Sequence, residues 1–70
     1  MKLSARNILK GRIIRIVEGA VNCEVTLEIS PELEIVAIIT KSSAQSLGLA
    51  VGGDACAVIK ASDVIVGVEE

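Results

Sequence analysis

Histidine, phenylalanine, tryptophan and tyrosine are all absent from this 70-residue chain. Without His there is no Ser-His or Cys-His nucleophile pair within it, and no imidazole to hold a metal. An enzyme would have little to work with, so no catalytic residue is assigned. Without aromatic rings there is no platform on which single-stranded nucleic acid could stack. The two cysteines, Cys23 and Cys56, are too few and too far apart for a zinc site built of thiolates. In a reducing compartment they act as small buried hydrophobes. No run approaches the roughly 18 apolar residues of a membrane-spanning helix. Met1-Lys2-Leu3-Ser4 opens neither a signal peptide nor a lipidation motif, which predicts a soluble, cytoplasmic protein with no membrane partner.

What is present is largely aliphatic. Hydrophobic residues make up 51% of the chain, and the mean hydropathy is +0.65. Residues 1–70 read as one domain, of a size at which the surface-to-volume ratio leaves much of that apolar content uncovered. A homo-oligomer that buries a second apolar face between subunits resolves the excess. The net charge of −2 conceals an asymmetry. Lys2, Arg6, Lys10, Arg12 and Arg15 precede every acid in the sequence, and only Lys41 and Lys60 follow. Either this is a solvated strand face balanced by acidic neighbours, or some of the cations line an anion site. A nucleic-acid surface would be more basic overall.

Val, Ile and Thr account for 21 of the 70 residues, a strong β bias. Val21, Cys23, Val25, Leu27 and Ile29 alternate with Asn22, Glu24, Thr26, Glu28 and Ser30, which predicts a strand with one dry and one polar face. Ile8 to Val17 forms the strand before it, with a bulge or sharp bend at Gly11. Its Ile13-Ile14 and Ile16-Val17 pairs suggest burial on both faces. Glu34 to Thr40 is a third strand. Ser42 to Gly48 is a short helix, with Ser42 and Gln45 at capping-box spacing and Gly48 closing it. Ala55 to Lys60 and Val64 to Val68 complete the set. The order is that of an all-β, five-stranded OB-type barrel with one short helix between strands three and four.

Three clusters interrupt the apolar pattern, and each is rich in hydrogen-bond donors: Ser4-Ala5-Arg6-Asn7, Thr40-Lys41-Ser42-Ser43 and Lys60-Ala61-Ser62. Hydroxyls, cations and free amides with no obligate acceptor suit a fully ionised oxyanion, whose oxygens need only donors. Each cluster also has a plainer reading: Ser42 as a helix cap, Ser62 as a turn residue, Lys60 as a solvated strand end.

The run Ser4-Ala5-Arg6-Asn7-x-Leu9-x-Gly11, followed by Gly19-Ala20-Val21-Asn22-x-Glu24-Val25, resembles the start of the small molybdate-binding proteins, the molbindins or Mop family of single Mop/TOBE domains. Ile39-Thr40-x-x-Ser43, Leu47-Gly48-Leu49-x-x-Gly52 and Val58-Ile59-Lys60-Ala61-Ser62-x-Val64 extend the resemblance over nearly the whole chain. It implies an OB-type barrel assembled as a hexamer, a trimer of dimers, holding molybdate or tungstate between subunits. Ser4, Arg6, Lys60 and Ser62, with the amides of Ala5 and Ala61, would come from one subunit. Thr40 and Ser43 would come from its neighbour. A second oxyanion site would involve Gly19, Ala20, Val21 and Asn22. The bound ligand would be the oxyanion itself, without an organic cofactor and without metal–side-chain coordination. The resemblance thus implies intracellular storage and homeostasis of molybdenum. Two other readings stay open at this level: a nucleic-acid-binding OB module, which the net acidity and absent aromatics oppose, and a binder of the molybdenum pterin cofactor, for which no stacking wall exists.

Overall fold

The computed structural model describes residues 4–69. It contains four strands: β1 (Asn7–Glu18), β2 (Asn22–Ser30), β3 (Leu33–Thr40) and β4 (Asp54–Ile59). A helix, α1 (Lys41–Leu47), lies between β3 and β4, and a 3-10 turn, Ala61–Asp63, comes after β4. All strand pairs are antiparallel, in the order β3-β2-β1-β4. Strand β1 changes partner along its length: Asn7 to Arg12 pair with β4, and Arg12 to Glu18 pair with β2. A strand shared in this way curls the sheet into a half-barrel, with β3 and β4 as its two open edges.

Two devices in β1 make the curl. The first is Gly11. A Cβ there would lie 2.6 Å from the Glu28 carbonyl oxygen and 2.8 Å from Ile29 Cδ1, so only glycine lets β2 come that close. The second is a bulge, and it falls three residues beyond the expected position. Ile13 pairs with Leu27 and Arg15 with Thr26, leaving Ile14 as the extra residue. The bulge resets the alternation, so Ile13 before it and Ile16 after it face the same side as Leu27 and Val25. The doubled apolar pairs in the sequence mark this change of parity.

The core is the concave side. Ile13, Cys23, Val25 and Leu27 are buried there, with Ile16, Ile29, Ile39, Ala44, Leu49, Ala55 and Ala57 packed around them; Cys56, expected to be buried like Cys23, is exposed. The alternation of β2 therefore holds at Cys23, Val25 and Leu27, while Val21 lies in the turn before the strand and is 70% exposed. Thr26 departs from the expected polar face. It lies on an inner strand, with Arg15 and Val36 as its cross-strand partners, and is fully enclosed with its hydroxyl unpaired.

The turn Gly52-Gly53 bonds back to β1 through Gly52 N–H to the Ile13 carbonyl (2.8 Å) and Ile13 N–H to the Gly53 carbonyl (2.9 Å). Gly52 takes a φ of +89°, which a side chain would oppose. Helix α1 is capped by Thr40 rather than Ser42, its hydroxyl accepting the Ser43 N–H. It ends on Gly48 in the left-handed region, with Leu49 N–H bonded to the Ala44 carbonyl. Leu49 is thereby set against the core.

The expected fifth strand is a correction. Residues 64–69 are irregular, and Ile65 is 95% exposed. This segment pairs with neither open edge of the sheet, and its alternating Val64, Val66 and Val68 stay exposed. Four strands and an open half-barrel replace the five-stranded barrel.

Gly11→Ala should destabilise the chain by about 1–3 kcal/mol, the usual cost of forcing an extra methyl into a packed contact. Urea unfolding read by circular dichroism would measure it, and an unchanged midpoint would contradict the close approach. Thr26→Val should leave stability unchanged or raise it by about 1 kcal/mol, because it deletes a buried hydroxyl that has no partner. A marked loss in the same measurement would mean that the hydroxyl is satisfied in solution.

Candidate functional site

The β1–β4 ladder ends at the Asn7–Ile59 rung, and two of the three donor clusters begin there. Arg6 immediately precedes Asn7, and Lys60 comes directly after Ile59. The Asn7 side chain adds a bond of its own, Nδ2 donating to the Ile59 carbonyl at 3.2 Å. Ser4-Ala5-Arg6 and Lys60-Ala61-Ser62 thus leave the sheet side by side. Lys60 is extended (φ −67°, ψ 140°), and the chain then tightens into the 3-10 turn, with Asp63 N–H bonded to the Lys60 carbonyl at 2.9 Å. Ala61 and Ser62 open that turn, so their N–H groups find no partner within it.

Ser4, Arg6, Lys60, Ala61 and Ser62 are exposed and Ala5 is half-buried. Among the described residues the ion pair present is Arg12–Glu28, at 4.0 Å between side chains that remain in water. Such a pair contributes little. Arg6 and Lys60 make no ion pair there, which leaves two positive charges, two hydroxyls and free amides at one pole of the molecule. Lys2, the first of the basic residues in the sequence, lies outside the described residues.

The other pole gathers the remaining expected residues. The β1–β2 ladder ends at Glu18–Cys23, and the tight turn beyond it is closed by Gly19 N–H to the Asn22 carbonyl at 2.8 Å. Asn22 pairs with Thr40, and Lys41 N–H bonds to the Val21 carbonyl at 2.9 Å. The Gly19, Ala20, Val21 and Asn22 turn is therefore held against the start of α1. There the Thr40 hydroxyl accepts the Ser43 N–H (3.1 Å), donates to Ser43 Oγ (2.8 Å) and sits 3.3 Å from Ser42 Oγ. Because Thr40 gives its proton to Ser43, the Ser43 proton stays free to point outward. Beside this cluster a depression of about 350 Å³ is lined by Glu18, Lys41, Gln45 and apolar neighbours from β1, β2 and α1.

These poles stand at opposite ends of β1, whose 12 residues run from Asn7 to Glu18. At roughly 3.3 Å per residue that separation far exceeds the reach of a side chain, even along a bent strand. One chain brings Ser4, Ala5, Arg6, Lys60, Ala61 and Ser62 together, and separately brings Thr40 and Ser43 beside Gly19 to Asn22. It does not join the two groups. Asn7 and Ser42 belong to the donor clusters read from the sequence but not to the expected site residues; what the sequence did not show is the Asn7 bond to Ile59 and the Ser42 hydroxyl beside Thr40. Thr40 and Ser43 are three apart at a strand-to-helix junction, which is the spacing that could have signalled the cap.

Among the described residues no helix is long and apolar enough to cross a membrane, and no cluster of acidic or thiol side chains suits a metal ion. Residues 3–66 match the TOBE domain. The chain is 41% identical over 66 residues to molybdenum-pterin-binding protein 1 of Clostridium pasteurianum, spanning 94% of this chain and 97% of that protein. It is 47% identical over 68 residues to the molybdenum transport protein ModE of Azotobacter vinelandii, covering 97% of this chain but only 25% of that longer protein. Among solved structures, that of the cytoplasmic molybdate-binding protein ModG with molybdate bound superposes with a TM-score of 0.93 at 52% identity, over 99% of this chain and 49% of that one. With the family match spanning all but a few terminal residues, and a full-length relative at this identity, the chain belongs to the TOBE domain family.

Proposed function

We infer that this protein binds molybdate or tungstate, and that it stores and buffers the oxyanion rather than transforming it. The observation that carries this reading is the pole at which, among the described residues, Arg6 and Lys60 stand without acidic partners beside backbone amides and hydroxyls that can donate. A tetrahedral dianion matches such a surface in charge and in hydrogen bonding. Sulfate offers the same charge on shorter bonds, so pocket size selects against it. Phosphate is partly protonated at neutral pH and needs an acceptor; Arg6 and Lys60 offer none, and the Ser4 or Ser62 hydroxyl could serve only by turning away from the donation a dianion receives. The relatives named for molybdenum and its pterin, and the ModG structure with molybdate, support the oxyanion. A pterin ring would want a stacking wall that a chain without aromatics lacks.

Our reading of the assembly is a homo-oligomer, a hexamer built as a trimer of dimers, in which residues 1–70 act as one oxyanion-binding unit. An exposed pair of cations in water holds an anion weakly. The pole bearing Thr40 and Ser43, supplied by a neighbouring subunit, would both complete the shell and exclude water from it. Two open strand edges and an exposed apolar set that includes Val17, Val36, Ile38 and the 64–68 segment give such an assembly material to bury. The Gly19–Asn22 turn, beside Thr40, would contribute a second kind of oxyanion site. Binding between subunits then couples ligand to assembly by mass action.

Titration calorimetry with molybdate, tungstate, sulfate and phosphate tests the ligand. Heat with the first two and little with the others is expected, and none with molybdate would end this reading. Arg6→Ala and Lys60→Ala should each weaken molybdate binding by about 2–5 kcal/mol, as loss of one member of a desolvated charge pair does. Native mass spectrometry should show hexamers, and a monomer at micromolar concentration would contradict a shared site. Mixing Arg6→Ala subunits with Ser43→Ala subunits should restore strong sites, because some interfaces then combine two intact halves. No restoration would place both residues in the same subunit's site.

A further inference from the structure

The Ser-Ala-Arg-Asn run contains one polar residue that the oxyanion site leaves unused. Asn7 is half-buried, stands at the last rung of the β1–β4 ladder, and sends Nδ2 to the Ile59 carbonyl, 52 residues away in sequence. The other side-chain hydrogen bonds among the described residues all fall within Thr40–Ser43. Among the described residues the Asn7 bond is therefore the side-chain hydrogen bond that joins distant parts of the chain, beside the solvent-exposed Arg12–Glu28 ion pair, and it sits where two site segments diverge. One residue before it is Arg6, and one residue after its acceptor is Lys60.

From this juxtaposition we propose that Asn7 is a positioning residue for oxyanion selectivity, fixing the spacing between the Arg6 and Lys60 segments without touching the ligand. The proposal rests on the oxyanion-binding reading above. The parts of the site differ in what they can discriminate. The charges on Arg6 and Lys60 attract any dianion, because Coulomb attraction depends weakly on sub-ångström placement. Hydrogen bonds to a tetrahedral ion lose strength steeply with length and angle, so size discrimination requires that the two segments hold their distance. The end of a two-stranded ladder is where a sheet opens most readily. A side-chain bond across its final rung opposes that opening.

The amide also fits its place chemically. It donates to a carbonyl without adding charge beside a site for a dianion. Aspartate has the same shape, but would set a carboxylate against the Ile59 carbonyl and bring negative charge toward the ligand. Alanine removes the tie alone.

The test compares wild type, Asn7→Ala, Asn7→Ser and Asn7→Asp, with molybdate affinity from calorimetry and sulfate affinity from competition against it. Thermal unfolding and native mass spectrometry accompany each. Asn7→Ala is expected to keep its fold and assembly while losing about 10- to 100-fold in molybdate affinity, the range typical of residues that orient the groups holding an ion. Sulfate affinity should fall much less, so the molybdate-to-sulfate ratio collapses. Asn7→Asp should bind both ions more weakly than Asn7→Ala. If wild type itself gives no heat with molybdate, the oxyanion reading fails and takes this proposal with it. If wild type binds but Asn7→Ala keeps both affinity and ratio, the positioning role alone is overturned. Equal loss for both ions alongside a lowered melting temperature would assign Asn7 a purely structural role, and so would failure of both the Ala and Ser variants to fold.

Discussion

Strand β1 lies across two partners, and its backbone changes hands at Arg12, where Glu28 of β2 and Asp54 of β4 stand on either side. Gly11 permits the close approach that this exchange requires, and the unpaired Ile14 restores the dry face after it. The resulting curl gathers Ile13, Cys23, Val25 and Leu27 into one concavity. The length of β1 keeps its two ends apart, each end carrying its own group of donors. A flat sheet of the same sequence would lack the core.

The chemistry of the site derives from what the chain does without. A site for a fully ionised oxyanion needs donors and positive charge, and it is harmed by acceptors that face the ligand. Serine, threonine, backbone amides, Arg6 and Lys60 supply donors with no titrating imidazole among them. The hydroxyl chain at Thr40 shows how direction enters. By accepting the Ser43 N–H and donating to Ser43 Oγ, Thr40 uses its own proton locally and leaves the Ser43 proton available to another acceptor.

Much of this was legible from residues alone, and the remainder was hidden for identifiable reasons. Period-two alternation located β2 and the inward positions Cys23, Val25 and Leu27, because a central strand must bury one face. It misplaced Thr26, since enclosure in mid-sheet depends on the neighbours Arg15 and Val36, which no local pattern reveals. A glycine drew the bulge to position 11, whereas glycine serves there for clearance and the extra residue is Ile14. Val64 to Val68 has the composition of a strand, but whether it joins one of the open edges is a property of the assembled backbone and not of composition. The donor clusters stood out against the aliphatic background, yet sequence order could not show that the first and last of them adjoin while the middle one lies at the far end of β1.

The Asn7–Ile59 rung has a topological consequence. Between Arg6 and Lys60 the chain completes its whole sheet and helix, then returns to the place from which it set out. A unit whose strands begin and close at one doorway can be spliced into a longer polypeptide, or doubled within one, without rerouting its sheet. The chain enters this sheet at Arg6 and leaves it at Lys60 on the same side, beside the cations.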